Sequence, residues 1–137
     1  MTRRELREHV MKELFLREFY AAEEYPGQCA LYREELTEVS EEELAELTAK
    51  ALAIAEAIPQ LDADINQVSE GWKTRRMGKI DLTILRLAYY EMCEEEHTVP
   101  VRVAINEAVE LAKTYGGEDS PAFVNAILGK LARRMEG

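Results

Sequence analysis

The sequence predicts an all-α protein, and three observations carry that expectation. Apolar residues recur at spacings of three and four along nearly the whole chain. The segments patterned in this way are bounded by capping residues, Pro and Gly rather than by hairpin turns. Alternation of strand period extends no further than Val99–Val103, and there Pro100 removes a ladder donor. The expectation is about six or seven helices with no internal repeat.

The elements follow in order. Residues 3–22 place Leu6, Val10 and Leu14 on one stripe, which the stem of Arg17 extends, flanked by Met11, Phe15 and Phe19. Tyr25-Pro26-Gly27 predicts a break, because Pro disfavours helix before it and Gly suits a turn. A short helix over 29–36 carries Leu31, Tyr32 and Leu36. Ser40-Glu41-Glu42-Glu43 is a capping box, the Ser hydroxyl accepting an amide while Glu43 reaches back. The three glutamates also suit the positive end of the helix dipole. Leu44, Leu47, Ala51, Ile54 and Ile58 form the next stripe, which Pro59 is expected to end. Leu61, Ile65, Val68 and Trp72 then predict a separate helix over about 60–72.

Lys73 to Gly78 is a basic connection. Residues 79–95 are apolar nearly all round, as in a helix packed on several sides. Val99-Pro100 breaks the chain, and a helix follows over about 102–115, lined by Val103, Ala104, Ala108, Leu111, Ala112 and Tyr115. Gly116-Gly117 ends it, and Asp119-Ser120-Pro121 starts the last helix with a capping side chain and Pro in its first turn. One domain over 1–137 is expected, with an N-terminal helical lobe of about 1–75 and a C-terminal lobe of about 76–137.

Composition bounds the function. A chain of 137 residues buries about two-thirds of its unfolded surface, so its core needs no metal or disulfide staple. A hydrophobic content of 47% excludes disorder, and seven Gly and four Pro exclude collagen-like sequence. No apolar run is long enough to span a bilayer and the N-terminus lacks a signal-peptide core, which points to the cytoplasm. Cys29 and Cys93 have no metal-site spacing and read as reduced structural thiols. The net charge of −10 opposes non-specific binding to nucleic acid or anionic membranes, so any nucleic-acid contact needs a local basic patch.

Chemistry-bearing candidates are few. Neither a GxSxG elbow nor a phosphate-cradling Gly loop occurs, and the carboxylates around 34–46 read as solvated helix surface. His97 reads as a solvated loop residue. No enzymatic activity, cofactor or metal is expected. Arg3, Arg4 and Arg7 crowd the first helix, with Arg3 and Arg7 sharing a face. They read either as a phosphate-contacting edge or as a charge set pairing with Glu5 and Glu8. Lys73, Arg75, Arg76 and Lys79 make a second basic cluster. Asn106, Glu107 and Asn125 intrude on apolar helices and read as buried polar anchors between them.

Three stretches together resemble a known family. Val103-Ala-Ile-Asn-Glu-Ala-Val-Glu-Leu-Ala-Lys113, Tyr115-Gly-Gly-Glu-Asp-Ser120 and Phe123-Val-Asn125 are similar to the signature of the NusB family of bacterial transcription antitermination factors. Gly78-Lys-Ile-Asp81 with Ile84-Leu-Arg-Leu-Ala88 and Tyr90-Glu91 resembles its central helix, and Arg3-Arg4-x-x-Arg7-Glu8 with Leu14-Phe15 its first. The resemblance spans essentially the whole chain and is weakest over 25–60.

It implies two helical subdomains packed around a shared first helix. It also implies binding of boxA RNA in nascent ribosomal RNA transcripts with the ribosomal protein NusE, inside an RNA polymerase antitermination complex that reads through terminators. Carried over by motif, Arg3, Arg4 and Arg7 would contact RNA, and Tyr115, Asp119, Ser120 and Phe123 would form the other RNA-facing edge. Phe15, Trp72, Arg76 and Asp81 would meet the protein partner. Dimers occur in the family and would cover the RNA surface. Two departures stand out. Glu5 and Glu8 dilute the basic first helix, and Pro121-Ala122 replaces a His-Lys pair common in the family. Both predict weak RNA binding by the isolated chain, with NusE supplying much of the positive surface. The alternative is a helical protein–protein adaptor with little RNA binding of its own.

Overall fold

The computed structural model describes residues 1–137 as six α-helices without a strand. They are α1 (Arg3–Phe15), α2 (Tyr25–Glu34), α3 (Glu41–Val68), α4 (Lys79–Glu94), α5 (Val101–Tyr115) and α6 (Ser120–Glu136), with short 3₁₀ turns at Leu16–Glu18 and Thr74–Arg76. The all-α expectation holds. No helix is long and apolar enough to cross a membrane. The chain divides into two compact units, Met1–Ala55 and Glu56–Gly137, so the division falls within α3 rather than near residue 75.

In the first unit, α1 opens with a capping box that the sequence reading did not single out. The Thr2 hydroxyl accepts from the Glu5 amide while the Glu5 carboxylate accepts from the Thr2 amide. Leu6, Val10, Met11 and Leu14 are buried along its inner face. The helix ends at Phe15, short of the expected 22. Tyr25-Pro26-Gly27 starts α2 instead of breaking the chain, because Pro in the first turn forfeits only an amide that would have had no helical partner. The expected capping box of α3 is present, with Glu43 N–H donating to Ser40 Oγ at 3.1 Å and Ser40 N–H to Glu43 Oε1 at 3.0 Å. The N-terminal amine of Met1 also donates to Glu43.

The break expected at Pro59 does not occur, and α3 runs through it as one 28-residue helix. Pro59 is exposed, so its ring projects to solvent, while Ile54, Ile58, Leu61 and Ile65 keep one continuous buried stripe across it. The helical bond that Pro59 cannot make would have ended on the carbonyl of Ala55, the last residue of the first unit.

In the second unit, α4, α5 and α6 pack against one another in all three pairings. Ile84, Leu85, Leu87, Met92, Ala112, Val124, Leu128 and Leu131 supply almost completely buried core. The near all-round apolar pattern of α4 is explained by its packing on both α5 and α6. The last turns of α3 are tied to α4 by polar groups. Arg86 donates to both oxygens of Asp62, at 2.9 and 2.7 Å, and the Tyr89 hydroxyl donates to Asp64 at 2.8 Å. These bonds tie the middle of α4 to the end of α3.

Candidate functional site

The arginine end of α1 lies in the first unit. Arg3 and Arg4 are exposed, whereas Arg7 is buried, only 7% exposed. The pattern contains the reason: Arg7, Met11 and Leu14 stand at i, i+4 and i+7, which puts Arg7 on the inner face. Arg7 therefore adds nothing to the exposed basic edge. Arg3 pairs with Glu46 of α3 at 2.7 Å, and Glu5 is engaged in the cap. Phe15, half-buried at the end of α1, meets Phe19 edge-on with ring centroids 5.0 Å apart.

The first unit also buries a polar cluster. Glu13 is 3% exposed, 3.6 Å from Arg33, with its Oε2 lacking a hydrogen-bond partner. Burial pushes its carboxyl above the usual range, against the opposing pull of Arg33 and a bond with the Cys29 thiol. Burial likewise raises the Cys29 thiol and the Tyr25 phenol, whose ring lies under the guanidinium of Arg17. Cys29 is thus a buried structural thiol, whereas Cys93 is exposed; neither is in a disulfide.

The second unit holds a cavity of about 420 Å³. Trp72, Arg76 and Asp81 line one side, and Asp119, Ser120 and Phe123 the other, joined by Glu118 and the backbone at Gly78 and Gly117. Residues assigned by resemblance to two different contacts therefore share one cleft. Tyr115, half-buried at the end of α5, is not among the lining residues.

Local bonds explain each wall. Asn66, near the end of α3, accepts from the Thr74 amide at 2.8 Å through its side chain and from Lys73 Nζ at 3.1 Å through its carbonyl. Gly71, at φ +81°, supplies the left-handed residue that turns the chain out of α3, and Trp72 emerges 55% exposed. Gly78 caps α4 without a side-chain bond, and Asp81 sits in the first turn. Asp81 is half-buried, and its Oδ1 has no hydrogen-bond partner.

The opposite wall depends on Gly116. Its backbone is extended, φ −92° and ψ −174°, so no left-handed conformation is at issue. A Cβ there would lie 2.5 Å from the Ser120 side chain and 2.8 Å from the Ala112 carbonyl. The glycine is required for close approach. Ser120, 7% exposed, accepts from the Gly117 amide at 2.9 Å and locks the α5–α6 turn. The side-chain cap expected at Asp119 is absent. That leaves Asp119 exposed at the cavity rim.

The buried anchors expected at Asn106 and Asn125 are not observed: both are exposed, on the outer faces of α5 and α6. Glu107, the third of the set, is half-buried, and at the two asparagines a neutral polar side chain between apolar neighbours was misread as buried. Glu118 was missed as a lining residue although it adjoins Asp119 in sequence. His97 is exposed in a turn.

Comparison with known proteins decides the family. The NusB family model matches residues 4–133. The chain belongs to the NusB family. The transcription antitermination protein NusB of Agathobacter rectalis is 49% identical over 132 residues, covering 96% of this chain and 100% of that protein. The protein of the same name from Lachnoclostridium phytofermentans is 45% identical over 131 residues, covering 96% and 98%. A solved structure of T. maritima NusB superposes with a TM-score of 0.83 at 34% identity, covering 97% of this chain and 92% of that one. NusB proteins are transcription antitermination factors and not a known family of enzymes. The cavity walls and Arg4 fall inside the matched residues, and Arg3 lies just before them.

Proposed function

We propose that this NusB-family chain acts in transcription antitermination, binding boxA RNA of nascent ribosomal RNA transcripts together with NusE so that RNA polymerase reads through terminators. The observation that carries the reading is near end-to-end similarity to proteins of that name, including 49% identity across the whole of one. In this reading Arg3 and Arg4 meet RNA phosphates, and Arg7, being buried, holds α1 in position rather than touching the strand. Tyr115, Asp119, Ser120 and Phe123 form the second RNA edge, where an aromatic ring stacks on an unpaired base for roughly 1–3 kcal/mol. Phe15, Trp72, Arg76 and Asp81 face NusE.

With a net charge of −10 and only two of the three early arginines exposed, the isolated chain is a weak RNA binder, and the partner supplies much of the cationic surface. Anisotropy titration of boxA RNA against the chain, with and without NusE, tests this. The expected result is tight binding only for the pair, with a slope of log K against log salt of about −2 to −3.5, and its loss in Arg3→Ala/Arg4→Ala with NusE binding intact. Unchanged RNA affinity in that double variant would favour the adaptor reading instead.

A further inference from the structure

We propose that the edge of α6 beyond Phe123 carries single-stranded RNA onward, with Lys130 and Arg134 holding its phosphates. The proposal rests on the reading of Phe123 as part of an RNA edge. It goes further by extending that edge along α6 to its C-terminal end, where it receives the nucleotides that flank boxA on one side.

The helical register lays out the track. Val124, Ile127, Leu128 and Leu131 are buried and fix the inner face of α6. Phe123, Lys130 and Arg134 stand at i, i+7 and i+11, which places them in one row along the border of that face. Lys130 and Arg134 are exposed, and Phe123 is half-buried at the head of the row. Between Phe123 and Lys130 the nearest positions are Ala126, exposed and short, and Ile127, buried. No large side chain therefore stands across the row. From Phe123 to Arg134 the helix rises about 16 Å, the reach of a few nucleotides of extended strand.

The charge of α6 sets it apart. Lys130, Arg133 and Arg134 face a single acid, Glu136, which makes α6 the most cationic helix of a chain whose net charge is −10. No acid stands three or four residues from Lys130 or Arg134, so neither has an intrahelical partner such as Lys113 finds in Glu110. Compensation of the helix dipole accounts for cations in the last turn, where Arg133 and Arg134 lie. Lys130 precedes that turn, where the dipole has faded. An aromatic ring followed by cations along one row is what a single strand tracks, its bases stacking while its phosphates meet the charges. An acidic peptide would engage the cations and leave the aromatic head of the row unused, which favours RNA.

The experiment measures fluorescence anisotropy for the chain together with NusE on three RNAs: boxA alone, and boxA lengthened by a short uridine tract at its 5′ or at its 3′ end. Lengthening at one end only should raise affinity roughly tenfold and steepen the slope of log K against log salt by about 1.4, as for two added phosphate contacts. Lys130→Ala/Arg134→Ala should erase that gain, so that lengthened and short RNA bind equally, with circular dichroism confirming that the variant folds. Arg133→Ala removes the same kind of charge off the row and should retain the gain. No gain from either tract, or a gain that survives the double variant, would overturn the proposal. Equal loss in Arg133→Ala would reduce it to diffuse attraction and overturn it too. Saturable binding of an oligoglutamate peptide, lost in the double variant and without any gain from the tracts, would overturn it in favour of a protein-binding surface. Binding of boxA alone tests the antitermination reading, whereas the increment from the tract tests the track along α6.

Discussion

Both compact units rest on buried apolar stripes, and in the first of them charged and polar side chains add further ties between helices. In Met1–Ala55 the helices are joined by polar side chains: Arg3 to Glu46, Arg33 to Thr48 and to Glu13, and His9 to Tyr32 at 2.6 Å. In Glu56–Gly137 the three-helix packing of α4, α5 and α6 rests on fully buried Leu, Ile, Val and Ala. The consequence reaches the candidate sites. In the first unit Arg3 is already paired with Glu46. In the second, one carboxylate oxygen of Asp81 is buried without a hydrogen-bond partner. The first unit should therefore respond to pH and salt, and the second to loss of volume or shape.

Core truncation is the largest expected break in that contrast. Leu128→Ala, at a site with no exposure on α6, should cost roughly 2–5 kcal/mol in urea unfolding. Gly116→Ala comes next. Its added methyl meets the Ser120 side chain and the Ala112 carbonyl, so overpacking should cost roughly 1–3 kcal/mol in urea unfolding. Should Gly116→Ala leave stability intact, close approach is not what the glycine provides.

Smaller effects belong to the first unit. Ser40→Ala removes one half of the α3 capping box and should cost about 1 kcal/mol, read from the midpoint of thermal unfolding. Glu13→Gln sharpens the comparison through pH. Burial holds the Glu13 carboxyl above its ordinary value in the folded chain, so the associated stability is complete in acid and is lost as pH rises through the raised value. Glu5 and Glu43 run the other way. Hydrogen bonds, from the Thr2 backbone to Glu5 and from the N-terminal amine to Glu43, lower their carboxyls, so their contribution is lost as pH falls. His9, lowered by burial and by Lys12, also loses its contribution on acidification. Glu13→Gln should therefore raise the urea midpoint more at pH 8 than at pH 5. An equal change at both pH values would show that Glu13 does not set the alkaline limb.

Much of the fold was legible because its signals are local. The Ser40 capping box, the buried stripes through Leu6, Val10 and Leu14 and through Leu47, Ala51 and Ile54, and the bounds of α4 to α6 all follow from spacing within a few turns. The errors fall where a local rule met a longer-range constraint. Pro26 opened a helix and Pro59 was carried inside one, because a buried stripe on both sides of Pro59 outweighs one missing bond. Arg7 was expected at the surface by its charge and buried by its register. Asn106 and Asn125 were expected inside by their neighbours and left outside by theirs.

The amino-acid order alone thus determined that the chain is helical, where most helices start, and which side chains form their inner faces. Those properties depend on backbone bonds and spacings that close within one or two turns. Only the tertiary structure decided that Trp72 and Asp81 share a cavity with Asp119 and Phe123, and that one oxygen of Asp81 is buried without a partner. Residues so far apart in sequence are brought together by the packing of α4, α5 and α6, and burial, the quantity that gives a carboxylate its appetite for a partner, exists only once that packing has formed.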